Sequence, residues 1–305
     1  ELLTEIVGSS NVPGGLLGMN SRSMGHPDTG QPQWVPRFDR DGLMITGKWP
    51  NPPPPYPPRE VKGPETIDLR GMIPTCPGSS GALPVVMADP ERFKVPYQIE
   101  MNLHVGCNYA MTFANPKAIE ETFRNVFQVS ISLFLDEATY LSDIVLPAAS
   151  YLERLSHTAD WMSSNSPVGE WCYHIRQPVG EPIAERRGVC EVLLDLVERL
   201  EMRDEFYAFV NMILELNGAY ALDSASRFSW EEIVDRRYKS LFGEEHGLEW
   251  FKEHGVLKWP KKVEEVYWKY FSQARVPIYF EWIKPLGEKV RDMSQRLGIE
   301  LDTSA

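Results

Sequence analysis

Two turns hold the residues best suited to chemistry. Gly106-Cys107-Asn108 ends an alternating apolar run, and Ser132 stands near the end of a second one. A glycine closing a strand lets backbone approach a phosphate or ribose, and a helix that follows aims its first amides at negative charge. Asn108 and Thr112 offer polar contacts beside that helix start. Gly106 has no glycine partners at the Gly-x-Gly-x-x-Gly spacing, so an ordinary NAD-type enzyme is a weak reading. Metal chemistry has less support still. Cys76, Cys107, Cys172 and Cys190 form no Cys-x-x-Cys pair, and Cys172 with His174 offers two ligand types where a site needs more. No metal site made by this chain alone is expected.

The elements that must position these turns are visible in the spacing. Ile99 to Val105 alternates as a strand, and Asn115-Pro116 is a cap with proline at the first helical position, opening a helix to about Asn125. Val126 to Phe134 is a second strand, residues 136–142 a short connection, and Ile144-Val145-Leu146 a third strand stopped by Pro147. Strand, helix, strand, connection, strand is the parallel α/β pattern, whose ligands sit beyond the carboxyl ends of the strands. Val189, Val192, Leu193, Leu196, Val197 and Leu200 mark one face of a later helix. Ser229-Trp230-Glu231-Glu232 is a capping box opening a helix to about Leu241, and Lys262–Ser272 and Leu286–Leu297 are further helices. The Trp and Tyr density from 230 to 282 reads as helix packing.

The resulting expectation is an α/β fold with three parts. Residues 1–95 form an irregular Gly/Pro-rich region, including the run Pro52 to Pro58, that wraps a surface or lines a site. Residues 96–200 form a parallel-sheet dinucleotide-binding core, and 201–305 a helical extension. The 305 residues carry 31 basic and 43 acidic side chains, a net charge of −12 that opposes nucleic-acid binding. No apolar run approaches the roughly 18 residues of a membrane span, so a soluble chain on a cytoplasmic or periplasmic face is expected. The start, Glu1 to Val7, lacks the features of a signal peptide and reads as an excised piece of a longer protein.

Several stretches, in order, resemble the molybdopterin-dependent oxidoreductases of the dimethyl sulfoxide reductase family. Asn11-Val12-Pro13-Gly14-Gly15 is similar to the family's Asn-x-Pro-Gly-Gly turn, and Gly106-Cys107-Asn108 to its strand-ending Gly-x-Asn. The run from Phe134 to Ala149, continued by Tyr151-Leu152-Glu153-Arg154, resembles its most recognisable segment, and Gly180-Glu181-Pro182 its approach to a long helix. Two departures stand out. Ser132 occupies the region of a usual Asp, and Ala138 that of a common Thr.

The resemblance implies a pterin guanine dinucleotide carrying molybdenum or tungsten in the full-length protein, with none bound to this piece. It makes Gly106, Asn108, Thr112, Ser132 and Asp143 the cofactor residues, with Asp143 accepting hydrogen bonds from guanine. The residues alone leave Asp143 equally a strand cap on a solvated edge. Arg22 would orient an anionic substrate or a pterin oxygen, or else be a solvated surface arginine. The resemblance places the iron–sulfur motif and the metal ligand before this region, so the isolated chain is expected to be inactive. Its partners would be the remaining domains of the parent subunit and an iron–sulfur electron-transfer subunit. The competing reading is a non-enzymatic nucleotide-binding or scaffold module of the same α/β architecture.

Overall fold

The structure is a computed structural model that describes Val7 and residues 37–38, 44–45, 61–69, 71–72, 83–113, 115–156, 170–260 and 283–300. The Asn11–Gly15 turn, Arg22, the proline run and the expected helix at 262–272 lie outside these residues. Along the chain come β1 (Arg37–Phe38), β2 (Met44–Ile45), α1 (Leu83–Ala88), β3 (Met101–Val105), α2 (Tyr109–Thr112) and α3 (Pro116–Asn125). Next are β4 (Phe127–Ser132), α4 (Glu137–Tyr140), β5 (Ile144–Pro147), β6 (Glu170–His174) and α5 (Val189–Arg199). The series ends with α6 (Arg203–Ile213), α7 (Trp230–Phe242), α8 (Leu248–His254), β7 (Val256–Pro260) and α9 (Ile283–Leu297). The chain divides into two compact units, and the long stretches of them are 52–148 with 275–305, and 149–274. The expected division kept 96–200 together. Residues 96–148 fall in the first of these units and 149–200 in the second.

In the unit holding residues 52–148, β3, β4 and β5 form a parallel sheet in that order, with Leu103 level with Val129 and Val129 with Ile144. The crossover α3 starts as its sequence dictates, with Pro116 first and the Asn115 side chain accepting from the Ala118 amide at 3.3 Å. Ile119, Thr122 and Phe123 face inward from α3, and the Thr122 hydroxyl donates to the Pro84 carbonyl at 2.7 Å. The connection at 136–142 contains one helical turn, α4, closed by a capping box. There the Thr139 amide donates to Asp136, and the Asp136 amide to the Thr139 hydroxyl.

The two faces of this sheet are unlike. His104, Gln128 and Ser130 point to the covered face and are buried. Met101, Val105, Phe127 and Ile144 stand on the other, each between 44 and 57% exposed. Ile131, level with Val105 on this same face, is fully buried, so the apolar face is covered in part and open around Met101, Phe127 and Ile144.

The unit holding 149–274 is built on aromatic packing. Strands β6 and β7 pair antiparallel, and Tyr173 of β6 meets Tyr238, Phe242 and Phe251 at ring separations of 4.9 to 5.9 Å. Trp259 closes the same cluster, so the aromatic density of this region serves helix packing, as expected. Helix α7 opens on the Ser229–Glu232 capping box. In α5 only Val192 is buried, the rest of the expected face being half-covered and Leu200 exposed.

Candidate functional site

Strands β3 and β4 are parallel, so the turns at their carboxyl ends open on one edge. Gly106 makes the first turn at φ 56°, its amide donating to the Ile131 carbonyl at 2.9 Å. A Cβ added at Gly106 would meet nothing within 4 Å, so the glycine serves the left-handed angle and leaves the space beside it open. The Asn108 side-chain amide then donates to the Glu137 carboxylate at 2.7 Å. That bond ties the turn after β3 to the first residue of α4. The Asn108 amide holds the exposed Glu137 carboxyl below the usual carboxylate range. The Asn108 side-chain oxygen is buried and has no hydrogen-bond partner among the described residues.

Below the turn sits His104, buried within β3 between the rings of Tyr109 and Phe123. Its Nδ1 lies 3.3 Å from the Cys107 carbonyl and its Nε2 3.3 Å from the Ser142 hydroxyl. A carbonyl can only accept, so Nδ1 carries the proton, while the Ser142 hydroxyl donates to the Ala138 carbonyl at 2.8 Å and makes only a longer contact with Nε2. Burial holds the His104 pKa below its ordinary value, and the Cys107 bond and Asp136 only partly oppose that. His104 thereby pins the Gly106–Asn108 turn to the loop before β5.

The other expected donors already have acceptors. The Thr112 hydroxyl donates to the Asn108 carbonyl at 2.8 Å, and the Ser132 hydroxyl to the Phe134 carbonyl at 3.0 Å. Gly106, Asn108, Thr112 and Ser132 thus gather at the carboxyl edge. Asp143 does not join them. It precedes β5, where its amide donates to the Gln128 carbonyl at 3.0 Å and its carboxylate accepts from the Gln128 amide at 2.8 Å. Gln128 lies at the amino end of β4, four residues before Ser132, or about 13 Å at the usual rise of about 3.3 Å per residue. Of its two readings, the strand cap is the one this geometry carries. Arg22 lies outside the described residues.

Glu137 and His104 were not singled out by their sequence patterns. Glu137 finds its partner 29 positions away, which no local motif announces. His104 occupies an ordinary alternating position in its strand, and only packing reveals its two polar contacts.

No family model matches the chain. Over 276 residues, 85% of this chain, it is 26% identical to the arsenate respiratory reductase molybdopterin-containing subunit ArrA of Chrysiogenes arsenatis. Over 98 residues, 31% of this chain, it is 35% identical to the thiosulfate reductase molybdopterin-containing subunit PhsA of Salmonella typhimurium. Both relatives are molybdopterin-containing subunits, and the likeness to them agrees with the resemblance to the dimethyl sulfoxide reductase family. It spans 30% of the length of the ArrA subunit and 12% of PhsA. Among solved structures, acetylene hydratase from Pelobacter acetylenicus is 18% identical with a TM-score of 0.39, covering 59% of this chain and 20% of that one. A likeness that weak fixes no shared fold. Among the described residues no helix is long and apolar enough to cross a membrane, and no group of three potential metal ligands occurs.

Proposed function

We propose that the chain contributes part of the pterin guanine dinucleotide site of a molybdenum or tungsten bis-pterin oxidoreductase and is not catalytic alone. The observation that carries this reading is the Asn108–Glu137 bond at 2.7 Å, which joins the two turns at the carboxyl edge of a parallel sheet. Both relatives are named as molybdopterin-containing subunits, which supports the cofactor class.

The donor and acceptor set at this edge suits one end of the dinucleotide better than the other. Phosphates need N–H donors or cations, whereas here the side-chain donors are engaged and carboxylates of Asp136 and Glu137 stand alongside. Guanine presents adjacent N–H donors on its Watson–Crick edge, which a carboxylate accepts well. Glu137 is therefore our guanine reader in place of Asp143. Asn108 aims the Glu137 carboxylate, Gly106 leaves room for close approach, and Thr112 and Ser132 hold the backbone of the two turns. When bound, the cofactor supplies a metal centre that changes oxidation state, and this chain's share is to hold the nucleotide end. An iron–sulfur electron-transfer subunit and the remaining domains of the parent subunit complete the reading.

The test is metal and nucleotide analysis of the whole protein as purified. The proposal expects molybdenum or tungsten together with GMP released by acid hydrolysis. A protein holding neither metal nor guanine nucleotide is instead the scaffold module.

A further inference from the structure

The Asn108–Glu137 bond joins two side chains near the surface, Asn108 half-buried and Glu137 exposed. Ordering such side chains costs rotamer freedom, and one bond open to water returns little of it. The two turns must therefore be held at the right separation from beneath. The peptide groups beside the bond show what holds them. The carbonyl of Cys107, one residue before Asn108, faces Nδ1 of His104 at 3.3 Å. The carbonyl of Ala138, one residue after Glu137, accepts from the Ser142 hydroxyl at 2.8 Å. That hydroxyl lies 3.3 Å from Nε2 of the same ring. One imidazole thus touches the turn that carries Asn108 and the side chain that anchors the turn of Glu137.

The ring itself has little room to move. His104 is 2% exposed, with the Tyr109 and Phe123 ring centroids 5.3 and 5.8 Å away. Phe123 shares a core cluster with Ile119 and the fully buried Ala138, and Tyr109 packs against that cluster. Taking Glu137 as the guanine acceptor, we propose that His104 is the positioning residue of this site, setting where the Asn108 amide meets the Glu137 carboxylate. The ring touches no ligand. It acts by fixing the Cys107 carbonyl with its Nδ1 proton and by backing the Ser142 hydroxyl with its Nε2 edge. An apolar side chain in its place leaves the Cys107 carbonyl without that donor. Asn108 is then free to swing away, and the Glu137 carboxyl loses the bond that does most to hold its pKa down.

The test is an NMR titration of isotope-labelled glutamate carboxyls in the chain, with the amide signals of β3 to β5 checking that the sheet is intact. In the parent, Glu137 titrates below the ordinary glutamate range. In His104→Leu it should rise into that range. In His104→Asn it should stay low, because the asparagine amide takes the place of Nδ1 and donates to Cys107. Nitrogen NMR of the parent's histidine rings, where no substitution disturbs folding, should show the neutral His104 ring protonated at Nδ1. If His104→Leu fails to fold, the asparagine variant and the ring tautomer decide. An unmoved Glu137 in folded His104→Leu, a rise in His104→Asn, or a neutral ring protonated at Nε2 would overturn the proposal. GMP content of the whole protein answers separately for the guanine role. It should fall about tenfold in His104→Leu and persist in His104→Asn. Full GMP in a folded leucine variant whose Glu137 has risen removes Glu137 as guanine reader and leaves the positioning of its carboxylate by His104 in place.

Discussion

At Asp143 one carboxylate does the work of a ladder bond. It accepts from the Gln128 amide while its own amide donates to the Gln128 carbonyl, so it seals the start of the β4–β5 pair. Asp143→Ala leaves a partly buried N–H unpaired and should cost about 1–3 kcal/mol of unfolding free energy in urea. Asp143→Asn keeps an acceptor and should recover part of that loss. Equal stability of the alanine variant and the parent chain would remove this role. His104 makes a second prediction at this scale. Burial depresses its pKa in the folded chain, while unfolding returns it to about 6.5. The unfolded state then binds protons first, so the stability is complete above about pH 6.5 and is lost as pH falls through the folded value. Half-buried His174 adds in the same direction, through burial and then the Arg176 charge. Urea midpoints should therefore fall between pH 7.5 and 5.5, and less steeply in His104→Asn; a variant with the same pH slope would contradict the assignment. Residue by residue, the sequence was a partial guide. Gly106 was legible because a glycine ended an alternating run, whereas Asp143 gave no sign of which sheet edge it would occupy.

Elements announced themselves where local chemistry decides them. The Asn115-Pro116 start of α3 and the Ser229 box of α7 are short-range devices, and both appear in the structure where the sequence put them. Ser229→Ala should destabilise by about 1 kcal/mol, because the Glu232 amide loses its acceptor. Gly106→Ala should cost about 1–2 kcal/mol from the left-handed angle alone, since no neighbour crowds the added methyl. Thermal unfolding of the two variants checks both, and Gly106→Asn should lose less than Gly106→Ala because asparagine tolerates that angle. Elements were harder to read where tertiary packing decides. The helix face from Val189 to Leu200 was visible by its period, but nothing local said that α5 would join the aromatic unit. The parallel sheet is the clearest case. Its alternation was legible, yet the polar members His104, Gln128 and Ser130 took the buried face. They could do so because partners compensate them, as when the Asn102 amide donates to Gln128 at 2.9 Å and the Gln128 amide to the Val126 carbonyl at 3.0 Å.

At the scale of the whole molecule, that inversion leaves Met101, Val105, Phe127 and Ile144 half-exposed together. Exposed apolar side chains grouped in this way bind hydrophobic dyes. Phe127→Ser with Ile144→Thr should lower dye fluorescence markedly while costing under about 2 kcal/mol in stability, as these side chains are only half buried. Undiminished fluorescence would mean the face is covered in solution. The match to 30% of the ArrA subunit makes the same point about scale, since most of that relative has no counterpart in this chain. The central claim is that the Asn108–Glu137 edge holds the guanine end of a pterin dinucleotide. The most direct test is the GMP released per mole of whole protein, compared among the parent, Glu137→Gln and Asp143→Ala. The account predicts that Glu137→Gln releases about tenfold less, the cost of one charge-assisted contact, while folded Asp143→Ala keeps the parent's content. Full GMP content in Glu137→Gln, with loss confined to Asp143→Ala, would contradict it.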